Sequence, residues 1–148
     1  MRYTEKYMTV RINTHGNPLP KQYGNGDWID LSAAENCIIN PGEYRKISLG
    51  ISMELPEGTF AMVVPRSSTY KKYHIILANS VGIIDQAYKG DNDIWRFPAL
   101  NVSNTASYIA KGDRIAQFRI FDKGETVAFD KVDSLGNVDR GGIGSTGK

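Results

Sequence analysis

Apolar residues in this chain fall in short runs rich in Val, Ile, Tyr and Phe, and Gly or Pro interrupts them throughout the length. That punctuation is typical of an all-β protein and leaves little room for long helices. Strands are predicted over residues 7–12, 28–33, 44–54, 59–64, 79–84, 96–103, 114–121 and 128–133, enough for a jelly roll. Between them, Pro41-Gly42, Pro56-Glu57-Gly58, Lys89-Gly90-Asp91-Asn92 and Lys111-Gly112-Asp113 read as turns, the second as a hairpin end. One short helix is predicted over 67–73, with Ser67 or Ser68 as its cap and lysines late in it.

From about Leu135 onward glycines lie among polar residues and no apolar face remains to be buried. The expected organisation is one β domain over 1–134 and a flexible glycine-rich arm over 135–148. The 148 residues suit a single core. A formal net charge of +2 without long runs of like charge names no nucleic-acid or membrane partner. Cys37, the single cysteine, sits in an apolar run and reads as a buried thiol. With no signal pattern and no membrane-length apolar stretch, a soluble cytoplasmic protein is expected.

Three segments carry candidate chemistry. Pro65-Arg66-Ser67-Ser68 offers a guanidinium and two hydroxyls at a helix start, a place suited equally to an anion or to an ordinary cap. In 79–90 a β-hairpin could present backbone donors and acceptors to a base, with Asp85 and Tyr88 facing one cavity. Asp85 ends an apolar run, so it is either a partly desolvated general base or a turn residue. Gly112-Asp113-Arg114-Ile115-Ala116-Gln117 reads as a turn entering a strand, with Asp113 and Arg114 solvated. Zinc-type ligand spacing and the phosphate loop of nucleotide hydrolases are both missing, which disfavours those chemistries.

In order, Asp30-Leu31-Ser32-Ala33-Ala34, Pro65-Arg66-Ser67-Ser68, residues 79–90, residues 112–117 and residues 140–147 resemble the five motifs of the trimeric dUTPases. The Gly90-Asp91-Asn92-Asp93-Ile94-Trp95 extension is most similar to the Bacillus and phage type. The resemblance implies a jelly-roll-like β-clip fold and a homotrimer whose C-terminal arm is exchanged to close a neighbour's active site. It also implies magnesium-dependent hydrolysis of dUTP to dUMP and pyrophosphate, a reaction that limits uracil in DNA and supplies dUMP for dTMP synthesis. By the same resemblance Asn79 and the backbone of Gly82 and Ile84 read uracil, and Tyr88 packs on the deoxyribose. Asp85 activates the attacking water; Arg66, Ser67, Ser68 and Gln117 contact the triphosphate; Arg140, Ser145 and Thr146 hold the γ-phosphate. Asp30 reaches Mg2+ through water.

The fifth motif departs from the family pattern. It is shorter, and Ile143 stands where most members carry a phenylalanine that stacks on the base. Trp95 or Arg96 is therefore expected to supply the lid. A dCTP deaminase on the same fold, and a regulatory protein using nucleotide occupancy to control an unidentified partner, are the competing readings.

Overall fold

Alternation decides the sheets. In β6 (Thr59–Pro65) Thr59, Ala61 and Val63 are buried while the residues between them are less so, as a strand with one face on a core requires. The computed structural model describes residues 7–142 and Gly144. The other strands there are β1 (Arg11–Asn13), β2 (Ile29–Ser32), β3 (Cys37–Ile39), β4 (Tyr44–Ser48), β5 (Ser52–Glu54), β7 (Ile75–Leu77), β8 (Gly82–Ile84), β9 (Arg96–Asn101), β10 (Ser107–Ile109) and β11 (Arg114–Asp122), with one helix, α1 (Thr69–Tyr73). The named strands pair antiparallel, in a four-stranded sheet β2-β11-β6-β8, a three-stranded sheet β4-β9-β7 and the pairs β1-β5 and β3-β10. The architecture is jelly-roll-like, around a core that includes Leu31, Ile39, Ile47, Ile75, Trp95 and Phe97. Among the described residues no helix is long and apolar enough to cross a membrane.

Several expectations need correction. The run 44–54 is two strands, because Gly50 turns the chain at φ +70° and its backbone N–H donates to Ser48 Oγ. β3, β7 and β10 have only three residues each, too few for a legible period. Residues 79–81 form a turn, not strand, with Ser80 at φ +63°. No hairpin forms there, since β7 pairs with β9 in one sheet and β8 with β6 in the other. Pro56-Glu57-Gly58 is a turn, but β5 and β6 on either side of it belong to different pairings. No strand forms over 128–133. The chain leaves the domain after Lys123, whose N–H donates to the Gly58 carbonyl, and residues 124–142 are all exposed.

Candidate active site

The four-stranded sheet brings three motif segments to one place. Gln117 of β11 lies opposite Asp30 of β2 on one side and Val64 of β6 on the other, so Arg66, just past β6, emerges beside them. A β-bulge between Arg114 and Ala116 resets the alternation of β11. Arg114 and Gln117, three apart in sequence, consequently sit opposite Ser32 and Asp30 on one face. Asp30 Oδ2 then receives two guanidiniums, Arg114 Nη1 at 3.0 Å and Arg66 Nε at 3.4 Å, with the carboxylate only 11% exposed. Arg66 Nη1 also donates to the Arg114 carbonyl at 3.1 Å, and Gln117 Nε2 donates to the Pro65 carbonyl at 3.2 Å. A carboxylate at this depth is stabilised by such pairing, and each guanidinium is oriented by it.

The helix start is held by a residue other than either predicted cap. Ser68 occupies the cap position without a side-chain cap hydrogen bond. Buried Thr69 accepts from the Arg66 N–H at 2.8 Å and donates to the Ile115 carbonyl at 2.8 Å, riveting the turn to β11. The hydroxyls of Ser67 and Ser68 make no hydrogen bond within the described residues, which leaves both for a ligand beside Arg66. Behind them Tyr73 has its phenol pushed up from the ordinary tyrosine value, first by burial and then by the negative charge of the neighbouring Asp113 carboxylate. Asp113 is engaged and not simply solvated: its Oδ2 accepts from the Ala110 N–H at 2.9 Å.

The third motif lies elsewhere. Ile84 is opposite Ala61, so Asp85 follows at the level of Phe60, and the Gln86 side chain accepts from Gly58 N–H at the start of β6. Arg66 lies six residue steps beyond that level, roughly 20 Å at the usual rise. In this single chain Asp85 is exposed, and it does not join the Asp30 cluster. Tyr88 donates its hydroxyl to the Ile94 carbonyl at 3.1 Å, which fixes the ring while 39% of the residue stays accessible. β8, which carries Gly82 and Ile84, is the edge of its sheet and so has an outer row of backbone groups unpaired within it. Asn79, in the preceding turn, is exposed.

Trp95 is not available as a lid. It is 0% exposed, packed edge-to-face on Phe118 at 5.2 Å, and its backbone is bonded to Leu49 and Ile51. Of the two lid candidates only Arg96, the exposed first residue of β9, can reach solvent. Arg140 is exposed; Ile143, Ser145 and Thr146 lie outside the described residues. Sequence reasoning missed Arg114 and Tyr23 as neighbours of Asp30. The Arg114 guanidinium lies 4.1 Å from the centre of the Tyr23 ring. Only the bulge, which has no sequence signature here, aims Arg114 inward.

A jelly-roll-like domain with paired arginines and unengaged serines at one sheet end belongs among proteins that handle oxyanions such as phosphate esters. Comparison narrows the class: the dUTPase family pattern matches residues 20–147, and the chain belongs to that family. It is 58% identical over 122 residues to the SPbeta prophage-derived deoxyuridine 5'-triphosphate nucleotidohydrolase of Bacillus subtilis (strain 168), covering 82% of this chain and 84% of that protein. It is 42% identical over 141 residues to the deoxyuridine 5'-triphosphate nucleotidohydrolase of Finegoldia magna, covering 92% and 96%. The fold matches that of the Staphylococcus bacteriophage 80alpha dUTPase solved with dUPNHPP, at a TM-score of 0.79, 21% identity and coverage of 95% and 99%. The dUTPase of Streptococcus mutans matches at 0.70, 22%, 82% and 98%.

Proposed function

We propose that this enzyme hydrolyses dUTP to dUMP and pyrophosphate at sites built between copies of the chain. The observation that carries the reading is the pair of unengaged hydroxyls of Ser67 and Ser68 beside an arginine already oriented by Asp30. Arg66 keeps Nη2 for a phosphate oxygen, and Gln117 keeps one amide hydrogen. Negative charge grows on the leaving pyrophosphate as the bond from the α-phosphorus to the bridging oxygen breaks, and these donors stabilise it there. The attacking water gives its proton to Asp85 while its oxygen bonds to the α-phosphorus. Asn79 and the outer backbone row of β8 read the uracil edge, and the Tyr88 ring rests on the deoxyribose. Arg140, Ser145 and Thr146 hold the γ-phosphate, and Arg96 is the remaining candidate to cover the base.

Magnesium fits the residues at Asp30. Both ion pairs of that carboxylate use Oδ2, so Oδ1 remains to accept from a metal-bound water, and the described residues contain no group of His, Cys, Asp and Glu able to cage an ion. Bound on the triphosphate, the ion supplies charge neutralisation of the phosphate oxygens.

The separation of Asp85 from Arg66 along β6 supports a shared site, because among the described residues of one copy the catalytic base stands well away from the phosphate-binding arginine. The exposed segment 124–142 supports the exchange of an arm between copies in a homotrimer. The test is release of pyrophosphate and ammonia from dUTP, dTTP, dCTP and UTP by the parent and by Asp85→Asn. Pyrophosphate from dUTP alone is expected, with kcat lowered about 10²- to 10⁴-fold in the variant and dUTP affinity retained. Ammonia from dCTP, or full activity in Asp85→Asn, overturns the reading.

A further inference from the structure

Asp30 Oδ2 is shared by two arginines: Arg66 is also tied through Nη1 to the Arg114 carbonyl at 3.1 Å, whereas the Arg114 guanidinium is met by a separate loop. The loop after Pro20 folds back so that Lys21 bridges antiparallel to Asp30, and the Asp30 N–H donates to the Lys21 carbonyl at 3.3 Å. The Gln22 side chain closes the loop on the Gly26 carbonyl. This geometry places the Tyr23 ring against the Arg114 guanidinium, 4.1 Å from its centre, with Lys21 Nζ 4.8 Å from the same ring. Residues 21–27 are exposed and Tyr23 itself is 45% exposed, so the ring adds little to the core. Its contacts are with charge.

We propose that Tyr23 is a positioning residue for the phosphate-binding end of the site, clamping Arg114 onto Asp30 so that Arg66 and the second carboxylate oxygen stay turned toward the nucleotide and its metal. This rests on the dUTPase reading and adds to it a residue outside the five motif segments. The physics is a competition at one oxygen. Arg114 at 3.0 Å holds Oδ2 more closely than Arg66 at 3.4 Å does. If Arg114, whose side chain is 36% exposed, is released to solvent, Arg66 becomes the only partner of a carboxylate at 11% exposure. It is then drawn inward, away from phosphate, and Asp30 is no longer fixed for a metal-bound water. A ring face stacked on a guanidinium opposes that release.

The experiment measures binding of α,β-imido-dUTP by calorimetry to the full-length parent, Tyr23→Leu and Tyr23→Phe, each in magnesium and in EDTA, with melting curves alongside. The parent gains affinity from magnesium; Tyr23→Leu loses roughly three- to tenfold of that gain, and Tyr23→Phe, which keeps the ring face, keeps most of it. The proposal is overturned if Tyr23→Leu retains the whole gain, if it weakens binding equally in EDTA, or if phenylalanine fails to rescue. A parent that hydrolyses dUTP yet gains no affinity from magnesium also overturns it, while leaving the dUTPase reading intact. A parent that neither binds the analogue nor hydrolyses dUTP overturns both.

Discussion

At the scale of single residues, polar groups near the candidate site divide into those bound to the fold and those left for a ligand. Thr69 satisfies the Arg66 N–H and the Ile115 carbonyl, Asp113 serves the Ala110 N–H, and Gln117 holds the Pro65 carbonyl. Ser67 and Ser68 are thereby relieved of structural duty. Cys37 is the opposite case, a potential nucleophile made inert by its surroundings. It is 8% exposed, and burial pushes its thiol up from the ordinary value, with nearby Glu35 and Glu43 adding to the shift against Arg45. Alkylation by iodoacetamide at neutral pH should therefore run on the order of a hundredfold or more slower in the native protein than in denaturant. Equal rates would place the thiol at the surface. The sign for stability follows from the same shift: with its folded value raised, the thiol contributes fully below its unfolded pKa, and that contribution fades as pH rises through the folded value.

At the scale of elements, Gly50 decides how β4 and β5 part company. Its φ of +70° suits glycine, and a Cβ there would stand 2.6 Å from Ala34 Cβ while also striking the Asn17 side-chain amide. That amide donates to the Gly50 carbonyl at 3.2 Å, and the Ala34 N–H donates to Ser48 at 2.8 Å, so the corner packs directly on the end of the first motif. Gly50→Ala should cost about 2–5 kcal/mol from backbone strain and overpacking together, read as a lowered urea midpoint. An unchanged midpoint would mean that the corner relaxes freely. The same corner shows why the sequence was legible only in part. Long strands such as β6 and β11 announce themselves through alternation, and Asp30, Arg66 and Gln117, singled out from three separate motif segments, lie together at one end of the sheet. A strand of three residues carries too little pattern, and the indole of Trp95 looks like a lid in sequence because nothing there shows that Phe118 covers it. The bulge in β11 and the stacking of Tyr23 are tertiary facts. The predicted strand over 128–133 has no partner strand among the described residues, and an isolated strand does not form a ladder.

At the scale of the whole molecule, the two halves of the candidate site stand at opposite ends of β6, Asp85 at the level of Phe60 and Arg66 beyond Pro65. Apolar side chains on the exposed segment point the same way: Phe129 is 94% exposed and Val138 96%, so neither is covered by the described residues of its own chain. Both features are explained if neighbouring copies complete one another, with Asp85 of one copy serving the Arg66 and Asp30 cluster of the next. Complementation tests this directly. Asp85→Asn and Arg66→Ala proteins, each nearly inactive alone, are unfolded together in equal amounts, refolded and assayed with dUTP. In a cyclic trimer a site is restored when an intact Asp85 from one copy meets an intact Arg66 from its neighbour, which random assembly gives in about one quarter of sites. Activity near that fraction of the refolded parent, absent when the two proteins are refolded separately and then mixed briefly, establishes that each site draws its base and its phosphate-binding arginine from different copies. If both residues act from the same chain, every site in every mixed trimer carries one defect or the other, and the mixture stays as inactive as its components.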